Sequence, residues 1–208
     1  MQDFGLYIIL TKPRLEYERI AEICVRLGVK MLQLREKYLA DRELLSLAKR
    51  LRSITRGTQT NFVVNDRPDI ALLAEADFLH LGQDDLPVEE ARKIVGNMKI
   101  GLSTHSLEQA KAALEKNPDY IGFGPVYTTP TKEKPDPVVG TDNLRKVLQF
   151  AHVPVVAIGG LFPENVEEVV EAGARNVAMV RYFMQAETVA ELEKRIVHIQ
   201  SLLNRSNL

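Results

Sequence analysis

Gln33, Arg35 and Lys37 stand two residues apart in the stretch Met31-Leu32-Gln33-Leu34-Arg35-Glu36-Lys37. Successive side chains of an extended chain point to opposite faces, so these three share one face while Leu32, Leu34 and Glu36 share the other. An amide and two cations at the end of an apolar strand suit a small polyanion. Alone, the pattern is also what a strand reaching solvent produces, with ordinary surface charge at its tip. It gains weight because nearly every later apolar run ends in residues able to do chemistry.

The next such ends are acidic: Asn65-Asp66-Arg67, then His80-Leu81-Gly82-Gln83-Asp84-Asp85. Asp66 and one of Asp84 or Asp85, on adjacent strands, can hold one Mg²⁺, which takes one or two carboxylates and completes its shell with water and phosphate oxygens. The competing reading is that Asp84 or Asp85 caps the helix beginning near Pro87. His80 falls within a strand, where a hydrogen-bonded structural role is favoured over catalysis. Ser103 and His105, in Gly101-Leu102-Ser103-Thr104-His105, share a face. No acid stands close in sequence to complete a nucleophilic set, which argues against a Ser/His hydrolase.

Gly122 and Gly124 share a face and, if inward, leave a hollow in the barrel. The long loop from Gly124 to Val139 then brings hydroxyls and Lys132, a set suited to phosphate oxygens and able to close over them, although a plain solvated loop fits as well. The pair Gly159-Gly160 precedes a helix, where glycine lets backbone N–H groups approach an anion.

The elements that position these groups alternate along the chain. Apolar runs predict strands at 5–10, 30–35, 61–65, 77–81, 99–103, 119–123, 153–158 and 176–180, each followed by a helical pattern. Asp41 and Ser106 are expected as helix caps, and Pro68, Pro87 and Pro163 as helix openers. Runs such as Pro154-Val155-Val156-Ala157-Ile158 are apolar enough to be covered on both faces. Eight strand-then-helix units in 208 residues predict an α/β protein, a single (β/α)8 TIM barrel spanning residues 1–208. A doubly wound open sheet is the alternative, but would seldom need eight units in so short a chain. In a barrel these strand ends converge on one mouth.

Composition narrows the partners. The net charge of -1 gives no reason to expect nucleic acid or an anionic membrane. A single cysteine, Cys24, excludes an internal disulfide and fits a reducing compartment, and its place among Ile20, Ile23 and Leu27 marks it as core filler. The apolar run Leu6–Leu10 is too short for a signal peptide or a membrane span, so a cytoplasmic protein is expected. A homo-oligomer is left open. The mouth then offers one Mg²⁺ site, one basic set (Arg35, Lys37, Lys132) and a separate backbone cradle. That is room for a diphosphate beside a phosphate, the metal neutralising a departing charge.

The motifs Gln33-Leu34-Arg35-Glu36-Lys37, Asn65-Asp66-Arg67, His80 to Asp85, Gly101 to His105, Gly122-Phe123-Gly124-Pro125, Thr129-Pro130-Thr131-Lys132 and Ala157-Ile158-Gly159-Gly160 together resemble thiamine-phosphate synthases, in register over essentially the whole chain. The resemblance implies joining a hydroxymethylpyrimidine diphosphate to a thiazole phosphate with loss of pyrophosphate. The C–O bond breaks first, and the thiazole nitrogen captures the pyrimidine carbocation. By position it implies that Gln33, Arg35, Lys37 and Asn65 hold the pyrimidine diphosphate and that Asp66 and Asp85 bind Mg²⁺. Ser103 and Lys132 would contact the diphosphate, so that Lys132, Arg35 and Ser103 form the catalytic set. Thr129, Thr131, Gly160 and the end of the last strand, Val180 and Arg181, would hold the thiazole phosphate. Arg181 departs from the family, which usually has a small hydroxyl residue there: it either grips the thiazole phosphate itself or blocks and alters that pocket, and the competing reading is that it turns to solvent or pairs with a nearby acid such as Glu187. Related thiazole tautomerases share the barrel but usually lose QLREK and carry a histidine where Pro125 stands. A catalytically silent ligand-binding regulator is the third reading, and paired metal-binding carboxylates argue against it.

Overall fold

Eight short runs of apolar residues form the strands β1 (Leu6–Leu10), β2 (Met31–Leu34), β3 (Asn61–Asn65), β4 (Phe78–Leu81), β5 (Lys99–Thr104), β6 (Tyr120–Phe123), β7 (Val155–Ile158) and β8 (Asn176–Met179). All pair in parallel, each with its neighbour in sequence, and β1 with β8 closes the barrel. The structure, a computed structural model, describes residues 3–129 and 136–205. Its helices are α1 (Tyr17–Arg26), α2 (Asp41–Thr55), α3 (Pro68–Leu73), α4 (Val88–Val95), α5 (Leu107–Leu114), α6 (Gly140–Phe150), α7 (Pro163–Glu171), α8 (Arg181–Met184) and α9 (Val189–Arg205). The expected (β/α)8 barrel is therefore the fold, not the open sheet. No helix among the described residues is long and apolar enough to cross a membrane.

Strand parity divides the core in two. Tyr7, Ile9, Met31, Val63, Phe78, Tyr120, Val156 and Ala178 fill the barrel interior, with Phe4 packed edge-on against Tyr7 and Tyr120 at ring distances of 6.0 and 6.1 Å. The alternate residues, among them Ile8, Leu32, Leu34, Val64 and Leu79, join the helices in the outer core. Gly101 is what lets Tyr120 into the interior. The two residues pair in register, and a Cβ on residue 101 would lie 2.0 Å from Cζ of the Tyr120 ring.

The boundaries differ from expectation where a side chain or proline replaces a ladder bond. Asp77 and Asp119 precede β4 and β6, and their carboxylates accept the amides of Phe62 and Ile100, both at 2.8 Å. Pro154 has no N–H to give, and β7 begins after it. Ser106 caps α5 as expected, accepting the Gln109 amide at 3.1 Å. Asp41 does not cap α2. It is the first helical residue, where its charge suits the positive end of the helix, and it accepts Arg67 at 2.7 Å. The short helix α8 was not anticipated, and it takes Arg181 as its first residue.

Candidate active site

Arg35 and Lys37 follow β2 on a turn held from below by Glu36. Its Oε1 accepts the Tyr17 hydroxyl at 2.6 Å and the Lys12 amide, which fixes the turn from which Arg35 and Lys37 reach the mouth. Lys37 Nζ lies 3.0 Å from Asp66 Oδ2. Asp66 sits just past β3 with φ of 61°, a left-handed conformation that Asp and Asn tolerate better than bulkier residues. Asp85 turns back to accept the Gly82 amide at 2.6 Å instead of capping α4.

The two carboxylates are hydrogen-bonded to one another. Burial opposes charge on Asp66, but its bonds with Asp85 and Lys37 win and hold its carboxyl below the usual range. Burial and the bond to Asp66 push Asp85 up to about 6. Two acids brought this close share a proton in this way, with Lys37 beside them favouring the charge on Asp66. Asp66, Asp85, Lys37, Asn65, Arg35 and Ser103 line one open cavity. Among the described residues no group of three or more His, Cys, Asp or Glu is placed to hold a metal ion together.

A second cavity lies towards the ends of β7 and β8 and includes Arg35, Ser103, Thr129, Gly159, Gly160, Val180 and Arg181. Arg35, Ser103, His105 and Asp136 line both cavities. Gly159 and Gly160 have φ of 96° and 68°. A Cβ on Gly160 would lie 2.7 Å from the carbonyl oxygens of Tyr127 and Thr128, so only glycine fits the turn. Asn165 pins it from α7, accepting the Phe162 amide and donating to the Gly160 carbonyl, each at 2.9 Å. The Arg181 guanidinium stacks over the Phe162 ring at 5.7 Å. Glu187, a partner that charge alone would offer it, pairs with Arg14 instead.

Not every expected residue lies where anticipated. Gln33 lines neither cavity. It is 2% exposed, and its amide donates to the Tyr7 hydroxyl at 2.6 Å. Gly124 is no hollow, since a Cβ there would lie 2.0 Å from the Ile158 carbonyl oxygen. Thr131 and Lys132 lie outside the described residues, whereas Thr129 and Asp136 on either side line the second cavity. His80 has the hydrogen-bonded role expected, with Nδ1 2.8 Å from the Tyr120 hydroxyl and Nε2 2.8 Å from Ser103 Oγ. Asn165 and Asp136 were not foreseen. Both are polar residues near helix starts, and nothing in their spacing separates them from ordinary surface positions.

The arrangement combines an acidic and basic half, a glycine-lined half and a shared wall, and known proteins carry a similar chain. The pattern of the family described as thiamine monophosphate synthase matches residues 6–183. A thiamine-phosphate synthase of Chloroflexus aurantiacus is 35% identical over 210 residues, covering 99% of this chain and 97% of that protein. One of Halalkalibacterium halodurans is 40% identical over 193 residues, covering 91% and 92%. The solved thiamine phosphate pyrophosphorylase of Pyrococcus furiosus superposes with a TM-score of 0.88 at 33% identity, covering 98% of this chain and 96% of that one. With the barrel, the mouth and the sequence in agreement over nearly its full length, the chain belongs to the thiamine monophosphate synthase family.

Proposed function

We propose that the protein is a transferase that joins hydroxymethylpyrimidine diphosphate to thiazole phosphate and releases pyrophosphate. The observation that carries this reading is the pair of cavities meeting along Arg35, Ser103, His105 and Asp136. One half is charged and suited to a diphosphate; the other is mainly apolar, with a glycine turn and one arginine. The bond to be made lies between them.

In this reading Arg35, Lys37 and Ser103, with Asn65 and Lys132, hold the diphosphate and stabilise it as it departs. Gln33 acts from beneath through Tyr7 and not by direct contact. Thr129, Thr131, Gly160, Val180 and Arg181 take the thiazole phosphate. Asp66 and Asp85 fit Mg²⁺, because two carboxylates that share a proton are a ready pair of oxygen ligands for a dication with open positions for water and phosphate. Bound there, Mg²⁺ supplies positive charge beside the leaving pyrophosphate. The nucleophile is a neutral ring nitrogen, so no side chain need remove a proton. What the chain supplies is charge for the leaving group and a fixed approach for the thiazole. Cytoplasmic placement is supported by the single buried free thiol, Cys24.

Purified protein given both substrates and Mg²⁺ should release one pyrophosphate per coupled product. Conversion of a thiazole tautomer with no pyrimidine consumed would replace this reading by that of a tautomerase. Binding of either phosphate without turnover would reduce the protein to a binder. Pro125, where the tautomerases usually carry a histidine, lines the second cavity and speaks for the synthase.

A further inference from the structure

Five polar side chains form one continuous series across the barrel interior. The Gln33 amide nitrogen is 2.6 Å from the Tyr7 hydroxyl, which is 2.9 Å from the Tyr120 hydroxyl. The Tyr120 hydroxyl is 2.8 Å from His80 Nδ1, and His80 Nε2 is 2.8 Å from Ser103 Oγ. Gln33, Tyr7 and Tyr120 are 2%, 1% and 0% exposed, and His80 is 9% exposed. Water has little access to the series, so each group must be satisfied by its neighbours.

That requirement gives the series a direction. The Gln33 nitrogen can only donate, so the Tyr7 oxygen accepts. Burial holds both phenols well above their usual range, so each keeps its one proton. Tyr7 passes its proton to the bond with Tyr120, and Tyr120 passes its own to His80 Nδ1. With Nδ1 accepting, a neutral imidazole carries hydrogen on Nε2 and donates to Ser103 Oγ. The Ser103 proton then has no acceptor among the described residues and is left for the cavity wall that Ser103 lines.

We propose that Gln33, Tyr7, Tyr120 and His80 form a one-way hydrogen-bond relay that fixes His80 as an Nε2–H donor and makes the Ser103 hydroxyl an obligate donor into the cavity, aimed at the leaving diphosphate. His80 and Tyr120 are positioning residues that act through Ser103. The direction also disarms Ser103 as a nucleophile, because its neighbour gives it a hydrogen and takes none. The diphosphate assignment rests on the synthase reading above; the polarity of the relay does not.

The test separates the two. Nitrogen NMR of the labelled, ligand-free wild-type chain at neutral pH should show His80 protonated at Nε2 with Nδ1 accepting. An Nδ1–H tautomer, or a ring carrying both hydrogens, overturns the relay whatever the enzyme does. Tyr120→Phe removes the hydroxyl while keeping the ring. It should raise KM for the pyrimidine diphosphate about tenfold, with KM for the thiazole phosphate unchanged, the scale of one hydrogen bond to a charged group. A folded Tyr120→Phe with neither KM altered, or with both altered equally, also overturns it. If that variant does not fold, the wild-type tautomer decides alone. A wild-type chain with the Nε2–H tautomer and no coupling activity would keep the relay and remove the synthase reading.

Discussion

Asp66 is held in a left-handed backbone conformation while its carboxylate, partly buried, shares a hydrogen bond with Asp85 and keeps its charge beside the Lys37 ammonium. Asn tolerates the same φ, so Asp66→Asn removes charge with little backbone strain. Turnover should fall about 10²–10³-fold, the scale of losing one preorganised electrostatic contact, with Tm nearly unchanged. Turnover unaffected by exhaustive chelation of the wild type would contradict the metal assignment. The pH dependence follows from Asp85. A carboxyl raised to about 6 favours the metal-free fold below its unfolded value near 4, and that contribution is lost as pH rises through 6. A Mg²⁺ held by the pair would replace the shared proton, so on the proposed assignment the rise in Tm on adding Mg²⁺ should be larger at pH 8 than at pH 5. A shift independent of pH would count against the pair as ligands. Asp66 and Asp85 were legible because acids at apolar strand ends are conspicuous. Tyr7 and Tyr120 were not, since an aromatic residue in an apolar strand reads as core. The role of each hydroxyl depends on a partner 113 residues away.

Among the elements, β5 and β6 carry the closest tolerance. Gly101→Ala would drive a methyl into the Tyr120 ring, and overpacking of this kind destabilises by about 1–3 kcal/mol. Chemical denaturation of Gly101→Ala should show that loss, and KM for the pyrimidine diphosphate should rise in the folded fraction as Tyr120 is displaced. At the end of β8, Arg181→Ser tests the other half of the mouth. KM for the thiazole phosphate should rise about 10–100-fold, with that for the pyrimidine diphosphate unchanged. Unchanged or improved turnover would place Arg181 outside binding. Alternation of apolar runs with helical patterns placed all eight strands to within two residues. The misses at Asp77, Asp119 and Pro154 share one cause: side chains and imino nitrogens, not hydrophobicity, set where the ladder begins. The glycine turn was legible, whereas its support by Asn165 was not, because that contact exists only once α7 packs beneath it.

Over the whole molecule, barrel closure joins residues that alternation along the chain leaves far apart. It sets Arg35 after β2 and Ser103 on β5 in one wall between two cavities. It also seals Cys24 on the buried face of α1, 0% exposed, where burial pushes its thiol up. Cys24 should react with a disulfide reagent only through unfolding, at a rate that rises with denaturant, and rapid labelling in native buffer would contradict the packing. Eight repeated units made the barrel readable from sequence. The depth of Gln33 was not, because alternation tells which face a residue takes and not how far below the mouth it lies. The central claim is that the two halves of the mouth receive different anions. It is tested most directly by equilibrium binding of pyrophosphate with Mg²⁺, and of thiazole phosphate, to the wild type, Asp66→Asn and Arg181→Ser. The account predicts that Asp66→Asn weakens pyrophosphate binding alone and that Arg181→Ser weakens thiazole phosphate binding alone. Equal weakening of both ligands by either variant, or the reverse pairing, would contradict it.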